Sequence, residues 1–207
     1  MWKNFDQPQS FSFILTVEDG DFLDFQETHW LGQPPLGVCS NLPYSSGTAI
    51  LLKLAPFYKK ISFMILMFQE EVAKRLRAQP NSSSWGSLSL WTQNWWDVKK
   101  LISVYPNSFY PSPKVNSEVV IFTPKQSPVI VDSQDPEACC LWEQLLKQCF
   151  SHRRKMLRSG LSKTAFWKHV LIASKIIETK RAEELTWEEW KKFYAAAIEH
   201  KKNESIL

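Results

Sequence analysis

Val38-Cys39-Ser40-Asn41-Leu42-Pro43-Tyr44-Ser45-Ser46-Gly47 sets an amide, a rigid ring and an aromatic side by side behind a short apolar run. Val38–Ser40 reads as a strand that stops at Asn41, and Thr48–Leu54 as a helix that Pro56 ends. Working outward, Ile61–Phe68 is strand-sized and apolar. Gln69–Gln79 carries Glu70 and Glu71 early and Lys74, Arg75 and Arg77 late, as a helix dipole favours. Leu88–Gln93 continues as helix. Val98–Val104 and Val115–Phe122 read as strands joined by the proline-rich stretch 106–113. Phe13–Val17 reads as a further strand ending in the acidic turn Glu18-Asp19-Gly20-Asp21. Strands with intervening helices predict an α/β body.

Strand signals stop beyond residue 123. Residues 124–136 hold three prolines and little apolar periodicity and read as a linker. Helices are predicted over Glu137–Phe150, Arg153–Leu161, Ala165–Ile177 and Trp187–His200. The last carries Thr186 and Glu189 at capping-box spacing and an apolar face of Trp187, Trp190, Tyr194, Ala197 and Ile198. The expected division is a body over 1–125, a linker over 126–136 and a helical domain over 137–207.

The 207 residues are 44% hydrophobic, which predicts a folded globular chain. No apolar run reaches the ~18 residues of a membrane span, and the N-terminus lacks a basic flank before an apolar core, so a cytosolic protein is expected. Cys39, Cys139, Cys140 and Cys149 form no CxxC pair, which argues against a zinc cluster and for reduced thiols. Residues 1–136 hold 11 Lys/Arg against 12 Asp/Glu, whereas residues 137–207 hold 14 against 9. A basic helical third beside a near-neutral body points to an anionic partner, most naturally nucleic acid.

Asn41 offers a side-chain oxygen acceptor, and the Pro43 carbonyl reads as a second one. Tyr44 offers a flat face with a polar tip. Two acceptors and a stacking face suit a planar ring with an exocyclic amine, of which adenine is one. Accepting both N–H hydrogens favours a pyramidal nitrogen whose lone pair can attack a methyl group in line, on a base taken out of its stack. The same four residues also suit an ordinary strand-to-helix turn.

The chain resembles the KsgA-type small-subunit rRNA adenine N6-dimethyltransferases, in collinear order over most of its length. Gly32-Gln33-Pro34-Pro35 leads into Asn41-Leu42-Pro43-Tyr44. Gln69-Glu70-Glu71-Val72-Ala73-Lys74-Arg75-Leu76 is similar to the family's Q-x-E-V-x-x-R-L. Pro80-Asn81-Ser82 and Gly86-Ser87-Leu88-Ser89 resemble the following loop and helix start. Phe109–Ser117 resembles F-x-P-x-P-K-V-D-S, Phe150–Lys155 resembles F-x-x-R-R-K, and Arg181–Leu185 matches R-A-E-E-L.

The resemblance implies a truncated Rossmann-like methyltransferase sheet followed by a small all-helical C-terminal domain. It implies S-adenosylmethionine as cofactor, no metal, and small-subunit rRNA in the pre-ribosomal small subunit as partner. Asn41 and the Pro43 carbonyl would receive the target amine, Tyr44 would stack on the adenine, and Phe109 would face it. Asp21, with Asn41, would hold the cofactor. Arg153, Arg154, Lys155 and Arg158, with Lys114, would contact rRNA phosphates. Plainer roles compete: core packing for Phe109, a turn for Asp21, a solvated helix face for the cation cluster, and an ordinary exposed lysine for Lys114.

The sequence departs from the family in one large respect. Its six glycines include no GxG pair, so the glycine-rich loop and the acid that follows the second strand are absent. The chain is expected to begin at the family's third strand. Phe13–Val17 then either pairs with the Val38 strand or leaves an edge exposed, which predicts marginal stability or a partner at that edge. Ser40, Ser87 and Asn116 are smaller departures, the last standing where the family has an acid. Three functions follow: adenine N6-dimethylation of small-subunit rRNA, a catalytically inactive rRNA-binding assembly factor, or a resistance-type methyltransferase of large-subunit rRNA. The Arg153–Lys155 and Arg181–Leu185 motifs favour the small-subunit type.

Overall fold

The computed structural model describes residues 17–26, 34–162 and 164–204. The expected strand at 13–17 therefore falls outside the described residues, apart from Val17. Four strands form one mixed sheet in the order β1-β2-β4-β3: β1 Leu36–Asn41, β2 Ile61–Gln69, β3 Trp96–Val104 and β4 Ser117–Pro124. β1 and β2 are parallel, Asn41 lying opposite Met67, so a crossover must connect them. Helix α1 (Gly47–Leu54) and a 3₁₀ turn (Ala55–Phe57) supply it. Gly47 lets α1 start tight against the turn before it, since a Cβ there would sit 3.2 Å from the Leu42 Cβ.

β4 runs antiparallel to both β2 and β3, with Gln69 opposite Ser117 and Val104 also opposite Ser117. This topology brings the C-terminal end of β1, the start of β4 and the loop after β3 to one end of the sheet. β3 is an edge strand, mostly exposed, with Lys99 and Lys100 on it and a register irregularity between Lys100 and Ile102. Charge and a break in register both discourage edge-to-edge pairing. On the other edge, no strand among the described residues pairs with the outer side of β1.

Helices α2 (Glu70–Leu76) and α3 (Ser87–Gln93) follow β2. Within the segment read as a linker, residues 125–135 have no helix or strand, yet they are fastened to the body. The buried Asn94 side chain accepts from the Ile130 and Val131 N–H groups and donates to the Val131 carbonyl, which also accepts from the Trp95 indole. Helix α4 (Pro136–Phe150) begins with Asp135 capping the Ala138 N–H.

The predicted helix 153–161 is shorter than expected. Residues 151–155 form a turn, and α5 spans only Leu157–Leu161. Helix α6 (Ala165–Ser174) stops at Lys175, whose left-handed backbone (φ 56°) ends it. Helix α7 (Trp187–Glu204) has the expected capping box, Thr186 and Glu189 bonding each other's backbone N–H groups. Its buried face is Trp190, Phe193, Tyr194, Ala196 and Ala197. Trp142 packs edge-on against both Trp190 and Tyr194. The helices and the sheet share one continuous buried cluster, bridged where Trp85 packs edge-on against Trp187.

Candidate functional site

β1 delivers Asn41, exposed, at its C-terminal end, and the chain then turns through Leu42, Pro43 and Tyr44 into α1. Leu42 is buried and anchors the turn, while Tyr44 is 39% exposed. The Tyr44 hydroxyl shares a 2.6 Å hydrogen bond with the Ser117 hydroxyl at the start of β4, and Ser117 is fully buried. The tyrosine is thus tied to the sheet by its tip, and its ring cannot swing without breaking that bond.

One expectation is corrected here. The Pro43 carbonyl is not a free acceptor, because it receives the Ser46 N–H at 3.2 Å and the Gly47 N–H at 2.8 Å. Both of its lone pairs are committed to starting α1. Pro43 therefore shapes the turn. Among the turn and loop hydrogen bonds of the described residues, none goes to the carbonyl just before it, that of Leu42.

Phe109 stands across from this turn on the loop between β3 and β4. Asn41, Leu42, Pro43, Tyr44, Phe109, Tyr110, Pro111 and Pro113 line a cavity of about 250 Å³. The loop is held in shape by its own bonds: Ser108 N–H to the Tyr105 carbonyl, Phe109 N–H to the Pro106 carbonyl, and the Ser112 hydroxyl to the same carbonyl at 2.8 Å. At its far end Asn116 donates its side-chain amide to Glu70, and its carbonyl accepts the Glu70 N–H. That explains an asparagine where the family has an acid, since a second carboxylate would face Glu70. The hydrogen bond from Lys74, with that from Asn116, holds the Glu70 carboxyl below its ordinary range. Lys114 is exposed on this loop.

A second cavity, of about 530 Å³, lies on the other side of the turn. Asp21, Phe22, Val38, Ser40, Ile50 and Leu54 are among its lining, and it shares Leu42 and Pro43 with the first. Asp21 is exposed, and one of its carboxylate oxygens accepts the Leu23 N–H at 2.9 Å. The turn role weighed for Asp21 is thus real and does not exclude a binding role. Lys53 of α1 reaches across and donates to the carbonyls of Phe22, Leu23 and Phe25. That strap, which nothing in the sequence pattern announced, fixes the Asp21 segment against the body.

One residue further along β4 from Ser117 is a carboxylate that sequence reasoning also passed over. Glu118, 1% exposed, pairs with Arg77 at 2.7 Å and with Lys100 at 3.1 Å. It follows Ser117 on β4, where successive side chains point to opposite faces, so β4 carries the Tyr44 tether on one face and this buried carboxylate with its two partly exposed cations on the other.

The basic residues divide. The Arg153 guanidinium bonds Glu183 at 3.0 Å and the carbonyls of Ser83 and Trp85. Glu183 belongs to the Arg181–Leu185 motif, whose Ala182 and Leu185 are buried. Two motifs quoted separately thus meet through Arg153, which joins the helical segment to the body. Arg154 and Lys155 are exposed on the turn, and Arg158 is exposed beside Glu178 at 3.8 Å. No cluster of three or more His, Cys, Asp or Glu that could hold a metal occurs among the described residues. Burial raises the Cys139 thiol to about 11 and pushes Cys149 up further, so both stay protonated near neutrality.

The Ribosomal RNA adenine dimethylase family matches residues 10–199. The chain belongs to that family. It is 35% identical over 183 residues to a ribosomal RNA small subunit methyltransferase A from Syntrophotalea carbinolica, covering 86% of this chain and 67% of that protein. It is 41% identical over 171 residues to one from Anaplasma phagocytophilum, covering 82% and 61% respectively. The chain thus spans roughly two thirds or less of the length of these relatives. Among solved structures, a dimethyladenosine transferase from Plasmodium falciparum superposes with a TM-score of 0.70 at 23% identity, over 89% of this chain and 73% of that one. The 23S rRNA methyltransferase ErmE superposes at 0.55 and 17% identity, over 86% and 70%. These two likenesses establish the Rossmann-like methyltransferase fold. No helix among the described residues is long and apolar enough to cross a membrane.

Proposed function

We propose that this chain carries out N6-dimethylation of adenine in small-subunit rRNA, with S-adenosylmethionine as methyl donor, during assembly of the small ribosomal subunit in the cytoplasm. The observation that carries this reading is that two cavities meet at Leu42-Pro43, one walled by Tyr44 and Phe109, the other by Asp21 and Phe22. A flat base and a donor placed on either side of that turn would bring their reacting atoms together.

S-adenosylmethionine supplies an electrophilic methyl group when bound. The second cavity fits its adenine end: Asp21 supplies a carboxylate for an exocyclic amine, and Phe22, Ile50 and Leu54 supply apolar walls. On the base side, Asn41 accepts one hydrogen of the target amine through its side-chain oxygen. With the Pro43 carbonyl committed to α1, the Leu42 carbonyl takes the second hydrogen. Two fixed acceptors hold the nitrogen with its lone pair free of the ring, and orientation of this kind lowers the barrier through proximity. Tyr44 and Phe109 hold the extruded base between aromatic faces. Arg154, Lys155 and Arg158 contact phosphates of the same RNA, with Lys114 nearer the base. In this reading residues 1–125 are the catalytic body and 137–207 the helical part that grips rRNA, packed on one shared core across the fastened stretch 126–136.

A catalytically inactive rRNA-binding assembly factor is the second reading, favoured by the absence of a GxG pair from the sequence. Titrating S-adenosylmethionine into the full chain, with rRNA binding measured in parallel, separates the two. Saturable cofactor binding supports the enzyme. No binding at millimolar cofactor with RNA binding retained supports the assembly factor.

A further inference from the structure

Tyr110 is completely exposed, at 102% of its reference area, yet it lines the rim of the base cavity directly beside Phe109. An aromatic left wholly in water gains nothing from burial and packs against nothing that would explain it. Its backbone, by contrast, is well fixed. The loop is closed by the three bonds to Tyr105 and Pro106, and Pro111 and Pro113 limit its backbone freedom. Tyr110 is therefore a ring on a firm mount, at the mouth of a cavity.

The cavity, at about 250 Å³, is smaller than the ~300–1,000 Å³ of an ordinary small-molecule pocket. It holds one base and leaves the next nucleotide outside. Taking a base out of its stack uncovers a face of its neighbour. An exposed aromatic ring replaces that lost stacking with little regard to base identity. Lys114, exposed four residues further along the same loop, supplies a positive charge for the connecting phosphate. Resting on the adenine-binding reading above, we infer that Tyr110 is a second base-binding position, a platform on which the nucleotide flanking the target adenine stacks.

The test uses the full chain and a short single-stranded uridine-rich RNA with one adenine, flanked on its 5′ or its 3′ side by 2-aminopurine, whose fluorescence is quenched on stacking. Wild-type protein should quench the probe on one side. Tyr110→Ala should relieve that quenching and weaken RNA binding by roughly tenfold, while Tyr110→Phe should preserve both. Because the side chain is fully exposed, the alanine variant should melt like the wild type. A Tyr110→Ala protein that binds and quenches as the wild type does overturns the platform. If Tyr44→Ala still weakens binding in that case, the base cavity stands and only the platform falls. If wild-type protein fails to bind the RNA, both readings fall.

Discussion

The two cavities that meet at Leu42-Pro43 are built differently. The base side is braced from three directions: Tyr44 is tied to Ser117, the Phe109 loop is closed by its own hydrogen bonds, and Asn116 locks that loop to Glu70. The donor side has one strap, Lys53 holding the Asp21 segment, and it faces the edge of β1 that no described strand covers. In the proposed reading, the amine side of the reaction is therefore the more firmly pre-organised of the two. The turn after β1 and the loop before β4 hold one another in place, whereas the Asp21 segment is held by Lys53.

Asn41→Ala should break the comparison most sharply. Removing a single oriented polar partner at a reacting centre costs about 10²–10³ in turnover, and Asn41 touches the amine in this account. Methyl transfer should fall by that order while cofactor affinity changes only a few-fold, as read by single-turnover kinetics beside a cofactor titration. An equal fall in both would move Asn41 to the donor side.

Arg77→Met comes next. It leaves the buried Glu118 with Lys100 as its remaining cationic partner, so the loss should be about 1–2 kcal/mol in urea denaturation, below the ~3 kcal/mol of a buried charge left unpaired. Unchanged stability would mean that Lys100 alone satisfies the carboxylate. Arg154→Gln with Lys155→Gln should weaken rRNA binding and flatten the salt dependence by about 1–2 in slope. Arg153→Gln should instead lower stability and leave that slope unchanged, because its guanidinium is spent on Glu183, Ser83 and Trp85. The smallest effect is expected from Lys53→Met. Loosening the Asp21 segment, whose freed carbonyls can turn to water, should reduce cofactor affinity by about threefold to tenfold, the net worth of about one typical hydrogen bond. The change should appear in the cofactor titration with base binding intact.

Much of this was legible in the sequence because it is written in local patterns. Asn41-Leu42-Pro43-Tyr44 marked the strand end, and strands with intervening helices pointed to an α/β body. Thr186 and Glu189 announced the cap of α7. What stayed hidden depends on partners distant in sequence. Nothing near Pro43 shows that its carbonyl is consumed by Ser46 and Gly47, since helix start geometry decides that. Arg153 looks like its neighbours Arg154 and Lys155, and only the folding back of Glu183 distinguishes it. The Ser117 hydroxyl and Lys53 carry positioning roles from 73 residues and about 30 residues away. The proline-bearing stretch 124–136 looked loose because the hydrogen bonds that fasten it to the body go to Asn94 and Trp95, about 30 residues or more away in sequence.

The central claim is that Asn41, Tyr44 and Phe109 present an adenine amine to a methyl donor seated beside Asp21. It is tested most directly by incubating the chain with isotopically labelled S-adenosylmethionine and unmethylated small-subunit rRNA, then digesting the RNA to nucleosides for mass spectrometry. The account predicts labelled N6,N6-dimethyladenosine in wild-type reactions and its loss with Asn41→Ala. Label on a ring nitrogen or a ribose hydroxyl, or bound RNA that gains no label at all, would contradict it.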